Sequence, residues 1–232
     1  MKSRSGFPVA AALLAALLCT RAFAAPCPDS EWSLITIGGW RTTAAAVFDT
    51  SSAMTSWMGG ERATINIPGG WLGVYRCCGL GITATRLVDA FDVTGVPPGT
   101  IVVAVADLVI DGWILGAGCG GSGCWGDLRG TIAHGPTTYQ QLLTMPVPGV
   151  DSVHVSGTVT LPVTITAGTP ERIDFMLEAY RAAGGSNGAH GIGTIRFRSL
   201  PPGVRVISCK GYDSATTPVR ATSWGALKVV YR

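Results

Sequence analysis

The cysteines and their neighbours are where this chain looks most like chemistry. The stretch "GAGCGGSGCWGD" (116–127) sets Cys119 and Cys124 on either side of four small residues and adds Trp125. Zinc-ribbon and thioredoxin-like sites need a C-x-x-C spacing, which occurs nowhere in the chain. Gly-Gly-Ser-Gly bends freely through positive φ, so this spacing suits a local disulfide across a loop. A Cys119–Cys124 bridge is the expectation. Cys77 and Cys78 are adjacent, and adjacent side chains on a strand point to opposite faces, so each should reach a different partner.

Nucleophilic catalysis finds little support. "GGSNG" (184–188) matches the G-x-S-x-G pattern around Ser186, with His190 and Asp213 later in the chain. A nucleophile elbow needs a strand before it, a helix after it, and the acid ahead of the histidine in a mainly parallel sheet. Here the flanks read strand, loop, strand, and His190 precedes Asp213. His134, His154 and His190 fall on separate segments without the i, i+4 spacing of a helical metal pair. Beyond the leader the glutamates are Glu31, Glu61, Glu171 and Glu178, and the fold would have to assemble any glycosidase pair from distant positions such as Asp89, Asp107 or Glu178. No D-x-[DN]-x-[DN]-G calcium loop is present. The residues thus predict no catalytic site, no metal site and no cofactor.

Aromatic residues give the best binding signal. Of seven tryptophans, Trp40, Trp71, Trp113, Trp125 and Trp224 adjoin glycine. A ring in glycine-rich surroundings offers a flat platform for the apolar face of a sugar, although large rings also fill sandwich cores. Trp57 and Trp125, in polar or glycine-rich stretches, are the candidate ligand-binding residues. The expected partner is an extracellular glycan or another surface protein.

Export follows from the amino terminus. "MKSRSGFPVAAALLAALLCTRAFAA" combines Lys2 and Arg4, an apolar run from Phe7 to Cys19 and the small-residue pattern Ala22-Phe23-Ala24, as in a secretory signal cleaved after Ala24. The run is too short for a stable membrane span, and Leu18 before Cys19 does not fit a lipoprotein signal. The expected layout is a signal peptide over 1–24, one domain over 25–232, and a secreted or periplasmic product without a membrane span. Loss of Lys2, Arg4 and Arg21 leaves 14 basic residues against 14 acidic ones, a net charge of zero. The field expected of a nucleic-acid binder is then missing. Fourteen arginines against three lysines suggest a GC-rich bacterial genome. Without Cys19 six cysteines remain (Cys27, Cys77, Cys78, Cys119, Cys124 and Cys209), enough for up to three disulfides.

The elements that must position these residues are strands. The 32 glycines are scattered between short apolar stretches, as turns punctuate strands. "ATINI" (63–67), "WLGVYRC" (71–77), "ITATRLVDAFDV" (82–93), "LRGTIAH" (128–134), "SVHVSGTVTLPVTIT" (152–166), "GTIRFRSL" (193–200), "VRVIS" (204–208) and "ALKVVYR" (226–232) read as strands or strand pairs. "TIVVAVADLVIDGWILG" (100–116) reads as a buried hairpin turning at Asp111-Gly112. "PERIDFMLEAYRAA" (170–183) fits strand and helix, and strand is the expectation. "TTAAAVFDTSSAMTSWM" (42–58) reads as a short helix or an irregular excursion. Pro201, Pro202 and Gly203 should reverse the chain, after which Val204, Val206 and Ser208 share one face and Arg205, Ile207 and Cys209 the other. The fold class is therefore all-β: an antiparallel β-sandwich, jelly-roll-like and disulfide-stabilised.

The segments "VSGTVTLPVTITAGTPERIDFMLEAY" and "AHGIGTIRFRSLPPGVRVISCKGY", between residues 155 and 212, resemble the closing strands of exported bacterial β-sandwich proteins such as the ectodomains of PEP-CTERM-type surface proteins. The resemblance lies in a Leu-Pro-x-Gly-x-x-Val-x-Ser turn and a Gly-aromatic pair after a long strand pair. It implies the sandwich and no catalytic residues. The chain ends at "KVVYR" without a Val-Pro-Glu-Pro sorting motif, so anchoring by that route is not expected. The sum is a non-catalytic structural or adhesive protein of the cell exterior, with a carbohydrate-binding module as the second reading and an extracellular hydrolase as the third.

Overall fold

The computed structural model describes residues 31–38, 41–46, 52–57, 61–77, 81–115, 126–144, 152–181 and 188–215, with side chains over 62–76, 81–114, 126–143, 152–180 and 188–215. Thirteen strands occupy most of these spans, and none of the described residues is helical. They are β1 (Glu31–Gly38), β2 (Arg41–Ala46), β3 (Ser52–Trp57), β4 (Glu61–Asn66), β5 (Trp71–Cys77), β6 (Gly81–Thr94), β7 (Ile101–Leu115), β8 (Gly126–His134), β9 (Thr137–Thr144), β10 (Ser152–Thr166), β11 (Glu171–Arg181), β12 (Gly188–Arg198) and β13 (Arg205–Ser208).

They form two antiparallel sheets. One runs β2-β1-β6-β11-β8-β9, with β13 also on β6; the other runs β10-β7-β12-β5-β4-β3. From β6 onward the chain changes sheet at nearly every connection, so each sheet is built of strands distant in sequence. Alternation explains why the sheets stack. On β11, Ile173, Phe175, Leu177 and Ala179 are buried, whereas Asp174, Met176, Glu178 and Tyr180 point outward. Phe91, Phe175 and Tyr212 from the first sheet's side meet Phe197 from the second, with ring centroids 5.2–6.3 Å apart. Edge-on aromatic pairs of this kind contribute about 0.5–1.5 kcal/mol each beyond their burial.

The Asp111-Gly112 hairpin is not formed. β7 runs straight through it, with Asp111 opposite Ser156 and Ile192, and Gly112 opposite Val155 and Gly191. Gly112 serves close approach rather than a turn: a Cβ there would lie 2.4 Å from the His190 carbonyl oxygen and 2.5 Å from Leu128 Cδ1. The segment 42–58 contains β2 and β3 rather than a helix. Neighbouring strands impose this: β2 pairs with β1 and β3 with β4 along their whole lengths, overriding weak local propensity. β1 and β9 lie outside the strands that the sequence predicts.

Other expectations hold. β5 and β10 have the expected bounds, and 171–181 is a strand. The chain reverses over Pro201–Gly203, where Val204 N donates to Pro201 O at 3.1 Å and Gly203 takes φ 80°. Val204 and Val206 then face inward while Arg205 is exposed. Cys209 lies just past β13. The side chains of Cys27, Cys77, Cys78, Cys119 and Cys124 lie outside the described residues, as does "ALKVVYR". Among the described residues no helix is long and apolar enough to cross a membrane.

Candidate functional site

The outer face of the first sheet carries a small open groove. Its residues come from four strands and are aligned by register. Tyr180 of β11 stands between Ile82 of β6 and Asp127 of β8; one rung along, Glu178 stands opposite Arg129, which stands opposite Leu142 of β9. Asp127, Arg129, Glu178 and Tyr180 point away from the core, because their chain neighbours Leu128, Leu177 and Ala179 are fully buried; Ile82 adjoins the buried Thr83, and Leu142 is itself exposed. The groove they line has a volume of about 130 Å³. That is below the ~300–1,000 Å³ of an enclosed small-molecule pocket, so a ligand must lie across it with much of its surface in water.

The polar groups inside are incompletely compensated. Arg129 Nη1 is 3.8 Å from Glu178 Oε2, a loose contact with the guanidinium about half exposed. Desolvation raises the Glu178 carboxyl above its ordinary range and Arg129 opposes that shift. Asp127 is raised for the same reason, again with Arg129 opposing. Asp127 Oδ1 is shielded from solvent and has no hydrogen-bond partner among the described residues. Such an atom lacks about 1–3 kcal/mol of hydrogen-bonding free energy that a ligand donor would restore. Tyr180 is 38% exposed and Leu142 50%, giving the groove two apolar walls. The arrangement can therefore stack a flat apolar surface on a ring while carboxylates and a guanidinium take up hydroxyls or amines beside it.

The outer face of the second sheet differs. Register places Tyr75, His190, Trp113 and His154 in one row across β5, β12, β7 and β10. Tyr75 stacks on His190 at 6.0 Å and Trp113 meets His154 edge-on at 5.1 Å. His154 Nε2 is 2.5 Å from Asp111 Oδ1. His190 is buried, which lowers its pKa to about 4, so the ring is neutral at physiological pH. Tyr75 and Trp113 are only partly exposed, so the row offers ring edges rather than an open platform.

Several of the sequence candidates lie outside the described residues. Trp57 closes β3 with its side chain outside the described residues, and Trp125 lies outside them entirely, as does Ser186. His190 belongs to β12, while Asp213, beyond β13, pairs with Arg205 at 3.1 Å. Asp89 is buried and accepts from Ala90 N and Lys210 N; Asp107 accepts from Thr160 Oγ1 at 2.8 Å and Arg198 Nε at 2.7 Å. These two carboxylates hold the fold together. Of the carboxylates weighed for a glycosidase pair, only Glu178 reaches the groove. Asp127, Arg129, Tyr180, Leu142 and Ile82 are not among the residues that the sequence marks as candidates. Their signal is period-two alternation in "GDLRG" and "FMLEAY", which puts Asp127 with Arg129 and Glu178 with Tyr180 on outward faces. Among the described residues no cluster of three His, Cys, Asp or Glu could hold a metal ion.

No protein-family model matches the chain, and no curated protein does. Among solved structures, TmCBM61 in complex with β-1,4-galactotriose is similar at a TM-score of 0.24 and 10% identity, over 76% of this chain and 88% of that one.

Proposed function

We propose that this chain is an exported, non-catalytic glycan-binding β-sandwich, and that it binds at the groove between β6, β11, β8 and β9. The observation that carries the reading is the partly exposed Tyr180 ring directly opposite Asp127, with Glu178 and Arg129 on the next rung. A ring supplies the stacking surface for a sugar, and the charged groups supply directional contacts to its substituents. The openness of the groove favours binding over catalysis, since bond-breaking gains from a site that excludes water. The adhesive role expected from sequence is then adhesion to glycan.

The rest of the sequence reading enters this proposal with it. The protein is secreted or periplasmic, its sheet-to-sheet crossings are of jelly-roll type, its disulfides tie the closing strands to the early chain, and its closing strands resemble those of PEP-CTERM-type ectodomains. A glycan array probed with the oxidised, exported protein and with Tyr180→Ala tests the reading. Binding to a defined glycan class that Tyr180→Ala abolishes supports it. Absence of all glycan binding, or release of new reducing ends from a bound oligosaccharide, refutes it.

A further inference from the structure

The groove carries a charge asymmetry that bears on which glycan it takes. Asp127 and Glu178 bring two carboxylates and Arg129 one guanidinium, so with all three ionised the site holds one unit of net negative charge. Arg129 is placed for Glu178: the two are direct cross-strand partners, 3.8 Å apart at their closest. Asp127 stands one rung away, opposite Tyr180, and its Oδ1 has no partner among the described residues. The atom that needs a donor therefore lies on the rung of the exposed aromatic ring, and Arg129, one rung along the same strand, offsets its desolvation only in part.

We propose that the groove selects glycans bearing a free amine, 2-amino-2-deoxy sugars being the chemical class, with the ammonium against Asp127 and the sugar ring on Tyr180. This rests on the glycan-binding reading above and specifies its ligand. An ammonium supplies the missing donor to Asp127, offsets the net charge and sits where the Tyr180 π-face also attracts a cation. A neutral N-acetyl group offers one amide N–H and no charge. A uronate would bring a second uncompensated anion into a partly desolvated site already net negative, which is repulsive. The desolvation that raises both carboxyls acts in the same direction, because it is the ionised forms that lack compensation.

The test is calorimetric titration of the oxidised, exported protein with three oligosaccharides of equal length. One is built of glucosamine, one of its N-acetylated counterpart and one contains glucuronate, at a pH where the amine is protonated. The expected result is at least tenfold tighter binding of the glucosamine oligomer than of the N-acetylated one, with the glucuronate ligand weakest. In Asp127→Asn the ratio between the first two should collapse to about one. N-acetylated or glucuronate ligand binding as tightly as glucosamine in the parent overturns the amine preference while leaving glycan binding intact, as does a ratio unchanged in Asp127→Asn. Absence of binding by all three, with no glycan bound on the array, overturns the glycan reading itself. A lysine tripeptide that outcompetes the glucosamine oligomer reassigns the groove to protein ligands and overturns the proposal.

Discussion

Acidification should unfold this protein through one histidine. His190 is 6% exposed, stacked on Tyr75 and set between the backbones of β5 and β7, and burial lowers its pKa from 6.5 to about 4. Below pH 6.5 the unfolded chain takes up a proton on this ring that the folded chain refuses. The stability it contributes is complete above pH 6.5, falls as pH drops toward 4, and is lost below that. A pKa separation of this size corresponds to about 3 kcal/mol at its limit, of which roughly 2.5 kcal/mol is lost by pH 4.5. Asp127 and Glu178 act in the opposite sense, since their carboxyls are raised in the fold and protonation there favours the folded state. A single pH series would mix the two effects. The comparison is therefore urea unfolding at pH 7.5 and 4.5 for the parent and for His190→Leu. The parent should lose about 2–3 kcal/mol more than the variant over that interval, whatever the variant's absolute stability. Equal losses in the two proteins would refute the assignment of acid sensitivity to His190.

Three further outcomes follow from the packing and the sulfurs. Gly112→Ala places a methyl 2.4 Å from the His190 carbonyl oxygen and should cost about 3 kcal/mol, read as a lowered urea midpoint without a change in m-value. Asp107→Ala removes the acceptor for Thr160 Oγ1 and Arg198 Nε and should cost about 2 kcal/mol in the same assay. If Cys209 bridges to Cys27, Cys77 or Cys78, the loop closed exceeds a hundred residues, and paired Cys→Ser replacement should cost about 4–5 kcal/mol. Paired replacement of Cys119 and Cys124 should cost about 2 kcal/mol. Non-reducing peptide mapping fixes the partners, and a less stable Cys119/Cys124 variant would contradict the ordering.

Much of the fold was legible because alternation is a local signal. The strand 152–166 announces itself by the apolar series Val153, Val155, Val159, Leu161, Val163 and Ile165 alternating with mostly polar residues, and the reversal at Pro201–Gly203 by residues with few other conformations available. Two kinds of element were hidden. β9, "TTYQQLLT", is an exposed strand with almost no apolar face of its own, so nothing in its composition separates it from a loop. β2 and β3 are rich in Ala, Ser and Thr and become strands through their neighbours. The Asp111-Gly112 pair misled for a different reason: glycine is used both where φ must be positive and where another side chain must come close, and sequence does not separate the two. The groove was illegible because it is a matter of register. Tyr180 and Asp127 are more than fifty residues apart, and which rung of β8 faces which rung of β11 is decided by packing on the opposite face.

Where a glycan binds is read most directly from a backbone amide chemical-shift titration with the glycan selected by the array. Perturbations should concentrate at residues 126–130 of β8, 177–181 of β11 and 141–143 of β9, and Tyr180→Ala should remove them. Perturbations centred on Trp113, His154 and Tyr75 of the other sheet would contradict binding at the groove.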